Sequence, residues 1–193
     1  STGESKLILS EKSATYVDLD YNDDLQYLSD GKTFIRTSEQ DGYKHIYHHN
    51  LDGTLIRQLT AGAWEVSAMV GLDEKGKKLY YLSTEASPLE RNLYVIQLDG
   101  KGKKLLSPAK GTHSINMSPD HRFFIGYHST ADSPVTVTLN EASGKTLKVL
   151  EDNTALKGRL ATYALGKKEF FTFPTVDGTV LNGYLIKPAD FDP

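Results

Sequence analysis

The sequence predicts an all-β fold, a partial β-propeller of about three four-stranded blades plus part of a preceding one. Three observations predict it. The first is a turn that returns. Leu28-Ser29-Asp30-Gly31-Lys32-Thr33-Phe34-Ile35 is followed by Leu72-Asp73-Glu74-Lys75-Gly76-Lys77-Lys78-Leu79-Tyr80-Tyr81 and by Met117-Ser118-Pro119-Asp120-His121-Arg122-Phe123-Phe124-Ile125. The copies start at residues 28, 72 and 117, intervals of 44 and 45. Asp and Gly suit such a turn because they tolerate left-handed backbone. The second is a later motif in the same register, Tyr47 to Leu55 and Tyr94 to Lys101, with a weaker copy in Val137 to Gly144. Each unit then reads strand, turn, strand, loop, strand, turn, strand, and four strands in about 40–50 residues is the mark of a propeller blade. The third is that none of these segments carries the 3.6-residue apolar period of a helical repeat. Unrelated β-meanders that share common turns are the alternative.

The elements follow in order. Residues 1–24 are assigned to the end of a preceding blade, with short strands expected at Lys6–Leu9 and Thr15–Leu19. The first blade spans 25–65, with strands expected near Thr33–Ser38, His45–Asn50 and Leu55–Leu59. The second spans 66–111, with strands near Val66–Leu72, Lys78–Ser83, Asn92–Leu98 and Lys103–Leu106. The third spans 112–152, with strands near His113–Met117, Arg122–Tyr127, Val135–Leu139 and Leu147–Leu150. Residues 153–168 read as a linker, and Ala155 to Leu165 as a short helix or irregular passage. The texture then changes. Glu169 to Phe173 and Val180 to Ile186 flank Val176-Asp177-Gly178-Thr179, a hairpin signal. A hairpin needs further partners to be stable, so residues 169–193 are expected to begin a second, truncated domain.

Composition narrows the function classes. The 193 residues, 38% hydrophobic and 10% aromatic, suffice for a folded core. A net charge of −3 with scattered cations argues against a nucleic-acid partner. With no cysteine there is no disulfide, thiolate nucleophile or Cys-ligated metal. No apolar run approaches the ~18 residues of a membrane span, and no signal peptide is visible.

Five segments carry a family resemblance: Phe34 through Ile46 (FIRTSEQDGYKHI), Leu59 through Val66 (LTAGAWEV), Leu79 through Ser83 (LYYLS), Arg91 through Leu98 (RNLYVIQL) and Leu147 through Asn153 (LKVLEDN). They fall in order across about 130 residues, and the closing Pro188–Pro193 fits as well. The chain resembles the dipeptidyl peptidase IV family of the prolyl oligopeptidase superfamily. That resemblance implies a serine exopeptidase that pairs an eight-bladed propeller with an α/β-hydrolase domain. Such enzymes release N-terminal dipeptides, or tripeptides, after proline or alanine. It places this chain at the last blades and the first strands of a truncated hydrolase domain. It also implies a periplasmic or extracellular setting and peptide substrates with N-terminal X-Pro or X-Ala. No cofactor is expected. Three full blades form an open arc whose two terminal blades are each expected to show one uncovered apolar face, and these faces with the unpaired edges of the 169–186 hairpin are expected to join two copies as a homodimer.

The residues supply no catalytic group. A serine peptidase of this kind needs a G-x-S-x-G elbow, which is absent from the sequence. It also needs a histidine oriented by a carboxylate. His128-Ser129 with Asp132 is the one superficial match, and adjacent strand residues point to opposite faces. The family's paired glutamates, which hold the substrate amine, belong to an earlier blade. Two metal readings fail as well. Imidazoles four residues apart on a strand, His45 and His49, stand about 13 Å apart by strand rise. Asp18, Asp20, Asn22 and Asp24 open like a calcium loop, but Asp23 and Ser29 occupy the positions that need Gly and Glu.

Phe34 and Arg36 remain as candidates for substrate contact. In the family an aromatic three residues after the turn glycine lines an extended subsite, and Arg36 shares its strand face. The other reading makes Phe34 a blade-packing aromatic. Trp64 and Tyr43 read as core or turn anchors. A different class of function, a non-enzymatic propeller that binds protein or glycan, is the rival. Such a propeller would close its ring with the final strand, whereas here a non-repeat strand pair follows.

Overall fold

The computed structural model describes residues 3–188 and 191, so most of the closing Pro188–Pro193 stretch lies outside the described residues. Its strands form four separate antiparallel sheets. The first contains β1 (Leu25–Tyr27), β2 (Thr33–Ser38), β3 (His45–Asn50) and β4 (Leu55–Gln58). The second contains β5 (Val66–Asp73), β6 (Lys78–Ser83), β7 (Asn92–Gln97) and β8 (Lys104–Leu105). The third contains β9 (Thr112–Met117), β10 (Phe123–Thr130), β11 (Ser133–Glu141) and β12 (Thr146–Glu151). A helix, α1 (Thr154–Leu160), precedes the two-stranded sheet of β13 (Lys168–Pro174) and β14 (Val180–Ile186). Within each four-stranded sheet the strands lie in chain order, the meander of a propeller blade.

Strand alternation builds the stack. In β6, Leu79 and Tyr81 join Ile35, Ile46, Leu59, Val66, Leu72, Tyr94 and Ile96 in a core shared with the first sheet. The intervening Tyr80 and Leu82 join Leu93, Leu106 and Phe124 in a core shared with the third. Five of the six β6 residues are therefore buried, because both faces of the middle sheet are covered. The recurring turns also touch. Glu74 of the second accepts hydrogen bonds from the backbone N–H (2.7 Å) and hydroxyl of Ser29 in the first. Met117 and His121 of the third lie against Gly71, whose missing side chain makes room for them.

The expected strands at Lys6–Leu9 and Thr15–Leu19 are corrected: neither forms. The segment lies against the face of the first sheet rather than along its edge, where a ladder partner would be. It is held by side chains, with Glu11 taking Arg36 and Ser38. The structure adds β1, three residues that pair Leu25 with Arg36 and Tyr27 with Phe34. Strands β10 and β11 extend to Thr130 and from Ser133, around a tighter turn than the sequence suggested.

Candidate functional site

Phe34 and Arg36 project from one face of the first sheet, as period-2 alternation requires. Phe34 faces His49 across the β2–β3 ladder and Arg36 faces Tyr47. The Phe34 ring stacks on the His49 imidazole at 5.2 Å and 11°, and Tyr27 tilts over it at 5.8 Å. Only 4% of Phe34 is exposed. Arg36 is half-buried and forms an ion pair with Glu11, while the Ser38 hydroxyl donates to the other Glu11 oxygen at 2.6 Å. The candidate face is thus covered by the residue 3–17 segment.

Polar groups remain unmatched beneath that cover. Arg36 Nε, the Tyr47 hydroxyl and His49 Nε2 are buried without a hydrogen-bond partner. His49 Nδ1 donates to the Gly53 carbonyl at 3.1 Å. Burial lowers the His49 pKa, and the Arg36 charge adds to that effect. Burial, reinforced by the Asp41 carboxylate, raises the Tyr47 phenol. Burying an unpaired polar atom is costly.

The remaining histidines and acids are committed elsewhere. His45 uses both ring nitrogens, on Thr60 Oγ1 and the Gly62 carbonyl at 3.0 Å each, with Trp64 edge-on at 4.8 Å. The Asp18 carboxylate accepts from the Tyr21 backbone N–H in a turn. Among the described residues no three of His, Asp or Glu gather as a metal cluster. His128 donates Nε2–H to the Lys110 carbonyl rather than meeting Ser129.

One charged cluster escaped the sequence reading. Lys44, 3% exposed, donates to the Tyr21 carbonyl, lies 4.4 Å over the Tyr21 ring and pairs with Asp24 at 3.1 Å. Glu65 stands 3.9 Å from Arg91, tying the first sheet's exit to the start of β7. Burial, then the Glu65 carboxylate, raises the Tyr21 pKa to about 12. The signal in the sequence was a lone lysine between Tyr43 and His45, facing an acidic loop about 20 residues earlier, and it had no local periodicity to mark it.

Comparison with known proteins places this architecture. Residues 1–135 match the family model described as the dipeptidyl peptidase IV N-terminal region. A probable dipeptidyl peptidase 4 of Arthroderma benhamiae is 30% identical over 98% of this chain and 25% of its own length. One from Aspergillus flavus is 27% identical over 83% of this chain and 21% of its own. Among solved structures, Porphyromonas gingivalis dipeptidyl peptidase 4 superposes with a TM-score of 0.89 at 37% identity, covering 97% of this chain and 26% of that one. A putative dipeptidyl aminopeptidase IV from Bacteroides ovatus shares the fold, with a TM-score of 0.67 at 24% identity, over 87% of this chain and 26% of its own. The chain thus spans about a quarter of the length of the relatives it matches. Stacked four-stranded meanders, the five motif segments and these matches agree that the chain belongs to the dipeptidyl peptidase IV family, within its N-terminal region.

Proposed function

We propose that this chain is a non-catalytic propeller portion of a dipeptidyl-peptidase-IV-like serine exopeptidase. The parent removes N-terminal dipeptides, or tripeptides, after proline or alanine. The single observation that carries the reading is the family match over residues 1–135. The blades wall a cavity in front of the active site. A walled cavity admits short or unstructured N-termini and excludes folded proteins by size. The hairpin of β13 and β14 opens the hydrolase domain in this reading. Phe34 and Arg36, on one strand face of β2, contribute to an extended subsite in this reading, which requires the 3–17 segment and the Arg36–Glu11 pair to give way to substrate. A periplasmic or extracellular location and homodimeric assembly belong to the same proposal. No helix among the described residues is long and apolar enough to cross a membrane.

The chain carries no nucleophile elbow, and the nucleophile with its base supplies most of the rate in such enzymes. The purified chain is therefore expected to leave Gly-Pro and Ala-Pro chromogenic substrates uncleaved. Turnover that co-purifies with the chain and is blocked by a serine-directed reagent would overturn the proposal.

A further inference from the structure

We propose that the end of the stack built from the recurring turns binds a linear acidic polysaccharide, a sugar chain with spaced carboxylates, on a row of cations supplied one by each sheet. In the first sheet the N–H of Leu51 donates to the Lys32 carbonyl at 2.8 Å. In the second, Leu98 donates to Lys77 at 3.0 Å, and in the third, Ala142 donates to Arg122 at 2.9 Å. The same backbone bond therefore holds a cationic residue beside the neighbouring turn in all three sheets. Sheets stacked about 10 Å apart set these residues in a row across that end. Lys32, Lys77 and Arg122 are exposed, belong to neither core, and take no part in the ion pairs among the described residues. The second sheet thickens the row. Lys75 and Lys78 share a turn with Lys77, Lys101 stands in the adjoining turn, and the exposed Arg57 lies against Gly100 beside it. In the chain the three cations are 45 residues apart and the net charge is −3, so only the stacking of the sheets assembles the row.

The acids among these cations select the ligand. Asp30 accepts the Lys32 N–H at 2.7 Å, Glu74 the Ser29 N–H at 2.7 Å, Asp99 the Lys101 N–H at 2.9 Å and Asp120 the Arg122 N–H at 3.2 Å. These carboxylates fix the turns and keep their negative charge between the cations. A surface of alternating sign repels a densely charged partner, such as duplex DNA with one charge per ~1.7 Å or a continuous anionic bilayer. It suits a polymer whose anions are separated by neutral hydroxyls, because a hydroxyl can donate to each intervening carboxylate. Most of the cations are lysines, point charges on flexible stems that do not demand one fixed geometry from an anion. The turns themselves contain no Phe, Tyr or Trp on which a base could stack.

The test follows the fluorescence anisotropy of a labelled hyaluronan oligosaccharide, which carries one carboxylate per disaccharide, as the chain is added. Binding is expected at about 0.1 M NaCl and is expected to be lost at about 1 M, where screening cuts the reach of a charge to ~3 Å. Lys32→Gln, Lys77→Gln and Arg122→Gln together are expected to weaken it at least tenfold. Lys157→Gln, Arg159→Gln and Lys167→Gln remove the same charge from the other end, to which β12 leads, and are expected to leave the affinity unchanged. A comparison on the unsubstituted chain is independent of any effect of the variants on folding: duplex DNA and phosphatidylglycerol vesicles, at equal anion concentration, are expected to bind more weakly than hyaluronan. No binding of hyaluronan at the lower salt, binding that survives the higher salt, equal affinity of the Lys32, Lys77 and Arg122 variant, or tighter binding of DNA or vesicles overturns the proposal.

Discussion

Phe34 shows how one residue can serve two arguments. Its position after the turn glycine gave it to a substrate subsite, while its stacking on His49 under Tyr27 gives it to the packing of the first sheet. Truncating a buried phenylalanine costs about 3–5 kcal/mol. Phe34→Ala is expected to lower the denaturant midpoint of this chain accordingly. Arg36→Ala in the full-length parent is expected to shift selectivity at the third or fourth substrate residue, beyond the stability lost when Glu11 is left without its partner. Unchanged kinetics for Arg36→Ala would remove this face from substrate binding. The recurring turns hold a second residue-level lesson. Gly31, Lys77 and His121 occupy equivalent places, each closing a four-residue turn with its N–H on the carbonyl three residues back, at φ of 62°, 54° and 53°. Only glycine adopts that backbone without strain, and a left-handed side-chain residue costs about 1–2 kcal/mol. Lys77→Gly is expected to stabilise the chain by about 0.5–1 kcal/mol in equilibrium unfolding, after the added freedom of glycine in the unfolded state is subtracted. A loss of stability would show that the Lys77 side chain carries a contact worth more than the strain.

At the level of elements, strands buried on one or both faces were readable and exposed or very short ones were not. The expected bounds of β2, β3 and β6 match the structure, because apolar and β-branched residues fill them and turn residues flank them. Leu25–Tyr27 was missed since three exposed residues beside an acidic loop carry no alternation. The histidines of these elements give the fold a pH dependence. Burial lowers the pKa of His48, His49 and His113. A lowered histidine pKa means that the unfolded chain binds protons first. Stability is therefore complete above the ordinary histidine pKa of about 6.5 and falls as pH drops from there toward the folded values. The exposed Asp30, Asp52 and Asp120, whose pKa values are lowered by turn hydrogen bonds, act only at lower pH. Urea midpoints measured at pH 7.5, 6.5 and 5.5 are expected to decline across the last two. A flat profile would contradict the burial of these rings as a cost to their charged forms.

On the scale of the whole molecule, the sheets stack in a row and the two ends differ. The outer face of the first sheet is closed by residues 3–17 through Glu11, contrary to the expectation that both terminal blades would show an open apolar face. At the other end Tyr127, Val135, Leu147 and Val149 of the third sheet are exposed, as are Phe170, Phe171, Phe173 and Leu181 of the β13–β14 hairpin. Apolar surface on that scale finds a partner, and the hairpin's free strand edges recruit other strands. The isolated chain is expected to associate, with light scattering across a size-exclusion peak giving at least the mass of a dimer. A monomer at high micromolar concentration that binds no hydrophobic-surface dye would show that the exposed face and hairpin do not recruit a second copy.

The sequence by itself determined the repeat, its interval, the strand-rich class and the family, because turn chemistry and two-residue alternation are local and recur in every copy. It also placed Phe34 and Arg36 on one strand face. Only the tertiary structure decided what covers that face, that Lys44 is buried against Tyr21 and Asp24, and that His113 and His128 meet with their ring N–H groups on the same loop. Those contacts join residues 15 to 25 positions apart or lie between sheets. Nothing in the local pattern of either partner encodes them, since they follow from ladder register and from how one sheet stacks on the next.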